Sequence, residues 1–159
     1  MNFGICINAV IPLRAAPAEK SEMTDQHLFG EDFEIIENTG NWKYIQKISD
    51  EYQGWLNSNF FVKCSEEYIN ELHASQTYVL NLPFNRLAVD NTQLILPAGS
   101  IPPFFHYAEK GFRLGGNNYI LYEDLISGKT DKRQLIINTA FKFLNAPYMW
   151  GGKTLFGID

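Results

Sequence analysis

The chain has 159 residues, a formal net charge of −5 and a hydrophobic fraction of 45%. That size fits one ordinary domain or two small ones, and the composition supports a core and argues against disorder. No apolar run approaches the roughly 20 residues a membrane-spanning helix needs, since the longest, residues 135–144, is broken by Asn138 and Lys142. The densest basic cluster is Lys129, Lys132 and Arg133, too few for the basic face that binding phosphate backbones requires. The N-terminal MNFGICINAV has no charged leader region, which points to the cytoplasm; a processed N-terminus would allow the periplasm or cell wall.

The first third reads as short strands between turns. Ile5 and Ile7 alternate with Cys6 and Asn8, Phe33 and Ile35 with Asp32 and Glu34, and Trp42 and Tyr44 with Lys43 and Ile45. Pro12, Pro17, Gly30, Asn38–Gly40 and Gln53–Gly54 punctuate them, the pattern of a small β-barrel. Trp42 and Trp55 are expected in its core or groove. At residues 63–74 the character changes. Ser65 can cap a short helix that carries Tyr68, Ile69 and Leu72 on one side, a connector to a second β module over residues 75–126.

In that module Tyr78, Leu80 and Leu82 alternate as in a strand, and Leu94–Leu96 is an apolar run closed by Pro97–Ala98–Gly99. Phe112–Leu114 and Tyr119–Tyr122 flank Gly115–Gly116–Asn117–Asn118, a hairpin signal. Ser127–Thr130 reads as a linker. Asp131 is placed to cap a helix over 131–146, with Gln134 as capping-box partner and Pro147 as terminator. Ile136, Ala140, Phe143 and Leu144 fall at helical spacing with little sequence left to cover them, so this helix offers an interface, including one for a homodimer.

Chemistry by residue type is sparse. Cys6 and Cys64 are far apart and read as buried, reduced thiols. His27, His73 and His106 are isolated, so neither a metal site nor a cofactor is expected.

Two segments carry a family resemblance. Leu13–Arg14, Pro17, Gly30–Glu31, Trp42 and Gly54–Trp55 resemble a bacterial SH3 (SH3b) module over residues 1–62, with Glu51 where such modules usually have glycine before Tyr52. The final AFKFLNAPYMWGGKTLFGID resembles the entry to an NlpC/P60 cysteine-peptidase domain, over residues 131–159. Its marks are Pro147–Tyr148, Trp150–Gly151–Gly152 and Gly157–Ile158–Asp159. In that family the nucleophilic cysteine follows the position matched by Asp159. The whole resembles the γ-D-glutamyl-L-diamino acid endopeptidases, which cleave peptidoglycan stem peptides.

The resemblance implies a mainly β fold, with two small SH3-like barrels followed by the first helix and turn of an α+β, papain-like domain. It implies a murein peptide with a free N-terminal L-Ala (L-Ala-γ-D-Glu-diamino acid) as ligand. Asp159 and, from the SH3b module, Glu22 and Tyr52 are then expected at its amine, and Tyr148 near the scissile bond. Trp150, Gly151 and Gly152 support the site structurally. Amide hydrolysis of this class needs a thiolate and a histidine. Both are expected beyond Asp159, so residues 1–159 alone are expected to be catalytically incomplete. The other reading is a non-catalytic tandem SH3b module that binds cell-wall peptide.

Overall fold

The computed structural model describes residues 2–123 and 131–159, so the expected Ser127–Thr130 linker and the last residues of the second module lie outside the described residues. The first sheet is built from β1 (Phe3–Cys6), β2 (Val10–Arg14), β3 (Met23–Leu28), β4 (Asp32–Thr39), β5 (Trp42–Lys47), β6 (Gln53–Asn57) and β7 (Phe61–Cys64), in the order β3-β2-β6-β5-β4-β1-β7. Helix α1 (Glu66–Ala74) leads to β8 (Asn85–Val89), β9 (Thr92–Leu96), β10 (Gly111–Leu114) and β11 (Asn117–Leu121), which form a second sheet in the order β10-β11-β8-β9. Helix α2 (Lys132–Lys142) and the short pair β12 (Lys153–Thr154) and β13 (Gly157–Ile158) complete a mainly β chain.

Inward alternation explains the first core: Cys6, Ile11, Leu13, Phe33, Ile35, Ile45, Leu56 and Phe61 form one buried cluster. The second core is shared. Ile5, Phe29 and Cys64 from the first module pack with Ile69 and Leu72 of α1 and with Leu80, Leu87, Leu96, Phe112, Leu114, Tyr119 and Leu121. Phe112 and Tyr119, paired across the β10–β11 hairpin, stack at 4.7 Å. Phe29 meets both edge-on, at 5.8 and 5.5 Å, a favoured aromatic geometry. The backbone joins the modules too, as Ile101 N–H donates to Phe29 O at 2.9 Å.

Helix α1 starts as the sequence implies, with Ser65 Oγ accepting from Tyr68 N at 3.1 Å. Four other expectations are corrected. Residues 76–81 are not a strand: Leu80 alone is buried and pairs with Ser100 and Gly99, while Val79 faces solvent. Trp42 and Trp55 are only half-buried. In β5 the buried residues are Ile45 and Lys47, and Trp55 packs against Tyr44 at 5.2 Å on the outer side. Helix α2 stops at Lys142 and not at Ala146, and Asn145 takes a left-handed φ of 69° before Pro147. Asp131 caps it by accepting from Arg133 N, but Gln134 binds Asn138 along the helix instead of closing a capping box. Of the expected uncovered face, Ile136, Ala140 and Leu144 are exposed but Phe143 is half-buried at the cavity described below, and Phe141, outside that face, is exposed as well.

Candidate functional site

An open cavity of about 640 Å³ lies where β3 and the β5–β6 turn meet the C-terminal segment. Its lining includes Thr24, Asp25, Asp50, Tyr52, Gly151, Lys153 and Asp159. Two of the four residues expected at the ligand, Tyr52 and Asp159, therefore come together across more than 100 positions of sequence.

Each is held from below. Asp50 Oδ1 accepts from Tyr52 N at 3.0 Å, and Tyr52 Oη donates to Thr24 O at 3.2 Å. Burial would raise the Asp50 carboxyl, but the Tyr52 amide and the Lys47 charge outweigh it and hold the acid below its ordinary value. The turn that presents Asp50 and Tyr52 bends at Glu51, whose φ of 61° is the left-handed conformation that glycine takes most easily. On the other side, Asp159 Oδ2 accepts from Gly151 N at 3.0 Å, and Asp159 N donates to Gly152 O. Gly151 has φ +67°, and a Cβ there would stand 2.9 Å from the Thr24 backbone, so this close approach requires glycine. Gly152 and Gly157 also pack too closely for side chains.

Tyr148 joins by a parallel bridge to Ile158. Partial desolvation and then the nearby Asp159 carboxylate raise the pKa of its phenol. Tyr148 is 71% exposed, and Trp150 also stands mostly in solvent. Glu22 is not brought to the cavity: it is exposed at the β2–β3 turn, where its carbonyl accepts from Ala15 N. In the same turn Arg14 donates to Ser21 O at 2.9 Å.

Sequence reasoning missed the charge cluster under the cavity. Lys47, only 1% exposed, lies 3.0 Å from Asp25, 3.4 Å from Asp50 and 3.8 Å from Glu31. Lys153 Nζ reaches both Asp25 oxygens, at 2.8 and 2.9 Å. Burial by itself would lower the Lys47 ammonium, but the hydrogen-bond network through Lys153 and Asp25 and the Glu31 charge raise it. Burial raises Glu31 as well. His27 lies beside them, with Nδ1 3.3 Å from Glu31 Oε2 but without a hydrogen bond. Burial and then the Lys47 charge push it down to about 3, so it is neutral. The available signal was the run Thr24–Asp25–Gln26–His27, polar where an inward-facing strand is normally apolar.

Neither thiol is poised for catalysis. Burial raises both, Cys64 to about 11, so the nucleophilic thiolate form is scarce. Among the described residues no group of His, Cys, Asp and Glu could hold a metal ion.

Comparison with known proteins bears on this arrangement. Residues 13–59 match the bacterial dipeptidyl-peptidase SH3 domain. The fold is similar to that of an NlpC/P60 family protein from Bacillus cereus ATCC 10987, with a TM-score of 0.74 and 16% identity, over 99% of this chain and 68% of that one. It is also similar to an NlpC/P60 endopeptidase from Photobacterium damselae subsp. piscicida, with a TM-score of 0.69 and 17% identity, over 94% of this chain. This chain spans 38% of that enzyme's length. The chain matches none of the curated proteins by sequence. The chain thus carries a segment matching a bacterial SH3 domain and shares its fold with NlpC/P60 proteins.

Proposed function

We propose that residues 1–159 form the substrate-gating part of a cysteine endopeptidase that cleaves the γ-D-Glu–diamino acid bond of murein peptides. The observation that carries this reading is the meeting of Asp159 and Tyr52 in one cavity, with the exposed Tyr148 close to Asp159. A free α-amine is a cation with three donors, and its best partner is a carboxylate in a partly dry pocket. Asp159 supplies that carboxylate, and Asp50 adds a second negative charge at the rim. The Tyr148 hydroxyl can donate to a peptide carbonyl. An N-acylated peptide brings neither the charge nor the donors, so the cavity selects peptides with a free N-terminal L-Ala.

The reading assigns binding to residues 1–159 and bond cleavage to a thiolate and histidine outside them, in keeping with the high pKa of both thiols here. Calorimetry tests it on this chain, with L-Ala-γ-D-Glu-diamino acid and its N-acetyl derivative. Binding of the free peptide at least tenfold tighter than of the acetylated one supports the reading. Equal affinities, or none at millimolar peptide, overturn it.

A further inference from the structure

The segment 147–159 has apolar neighbours at one end, where Leu155 and Phe156 line a cleft with Ala9, Val10 and Phe84 and the Phe156 ring lies 5.8 Å from that of Phe84; at the cavity end it has few. Tyr148, Met149, Trp150 and Phe156 are all exposed, and β12 and β13 are only two residues each. At that cavity end its attachments to the first sheet are polar and converge on three successive residues of β3. Gly151 lies against the Thr24 backbone. Lys153 Nζ binds Asp25, and Lys153 N donates to Gln26 Oε1 at 2.8 Å. Lys153 also pairs directly with Ile158, the neighbour of Asp159.

We propose that Asp25, clamped from β5 by the buried Lys47, is a positioning residue that fixes Asp159 at the cavity by holding Lys153. Lys47 is the fixed member, as it is almost wholly buried. Lys153 is the outer member, about one-third exposed, and it brings β12 with it. A buried ammonium is a poor means of stabilising a sheet, because its desolvation offsets most of its attraction. It is an effective means of holding its partners together, because separating a buried pair leaves an uncompensated charge. The cluster thus couples β3 and β5 to the C-terminal segment at the cavity, away from the apolar cleft that Leu155 and Phe156 line at its other end. Its functional consequence rests on the amine-site reading above; the positioning itself does not.

The test uses the full chain as wild type, Lys153→Gln, Lys153→Arg and Asp25→Asn. Lys153→Gln is the primary variant, since it leaves Asp25 paired with Lys47 and folding is not at risk. Amide hydrogen exchange at Gly151, Ile158 and Asp159 is expected to accelerate at least tenfold in Lys153→Gln and Asp25→Asn, while Ile45 and Leu56 are unchanged. Lys153→Arg is expected to restore protection to within threefold. Affinity for the free-amine tripeptide is expected to fall at least fivefold with the loss of protection and to return in Lys153→Arg. Unchanged exchange in Lys153→Gln overturns the proposal, as does loosened exchange with unchanged tripeptide affinity. If the wild type binds no tripeptide, the amine-site reading falls, and the exchange rates alone decide the positioning.

Discussion

Gly30 lies so close to Ile101 that a Cβ on it would overlap the Ile101 carbonyl, and its φ of +80° is itself a glycine conformation. The contact joins the first module to the second at the residue after Phe29. Gly30→Ala combines backbone strain with overlap against main chain that cannot swing away. It is expected to cost at least about 3 kcal/mol, read as a lower denaturation midpoint in urea. A loss under about 1 kcal/mol would show that the two modules can separate there.

Phe29→Ala removes the ring that meets both Phe112 and Tyr119. The expected loss is about 3–5 kcal/mol. Because the core is shared, near-ultraviolet circular dichroism and tryptophan fluorescence should report the same midpoint. Trp42 and Trp55 lie in the first module, so separate midpoints would show two independent cores.

Glu51→Gly replaces a side chain held at φ 61° with the residue that this turn accommodates best. The relief of about 1–2 kcal/mol is partly offset by the backbone entropy of glycine, about 0.5–1 kcal/mol. A small rise in Tm is expected, with tripeptide affinity unchanged because Glu51 does not line the cavity. A lower Tm would mean that the glutamate side chain contributes more than its backbone conformation costs.

Buried His27 sets a pH dependence. Its folded pKa is depressed to about 3 from an ordinary 6.5, so the unfolded chain binds a proton there that the folded chain refuses. Its contribution to stability is complete above pH 6.5 and is lost as pH falls toward 3, by up to about 1.4 kcal/mol per unit. Glu31, raised by burial, has the opposite sign: its contribution is present at low pH and lost as pH rises through its folded value. Denaturation of His27→Gln between pH 6.5 and 4 separates them, and its stability should fall less steeply than the wild type's. Parallel curves would contradict the neutral, buried imidazole.

Cys64, raised to about 11 by burial and then by Asp32, should react with iodoacetamide at pH 8 about a hundredfold more slowly than an ordinary thiol. Cys6 is more deeply buried and should be slower still. Rapid labelling of both in the native chain would contradict their burial.

Much of the fold was legible where burial follows apolar periodicity. Phe33 and Ile35 mark β4, Ser65 marks the start of α1, and the two glycines at 115 and 116 mark the β10–β11 turn, whereas in β5 Trp42 and Tyr44 were read as the apolar face and Ile45 and Lys47 are the buried pair. Strand β3 was not legible, because its inward residues Asp25, Gln26 and His27 are polar and hydrophobic patterning cannot register them. Residues 76–81 erred the other way, with alternation but backbone-to-backbone pairing recorded at Leu80 alone. Of the residues expected from the family resemblance, Tyr52 and Asp159 line the cavity, while Tyr148 stands in solvent and Glu22 lies elsewhere. Lys47 and Lys153 were not legible, since a lysine's burial depends on partners distant in sequence.

The shared core also limits how this architecture can be recombined. Ile5, Phe29 and Cys64 belong by sequence to the first module but are buried among residues of the second. A graft of residues 1–62 onto another protein would carry a greasy outer face with nothing to meet it. A transplanted second module would lack the Phe29 ring that meets the stacked Phe112 and Tyr119 edge-on. Exchange between relatives should therefore move both modules together, with the seam at Phe29–Gly30 and Ile101 inherited as one piece.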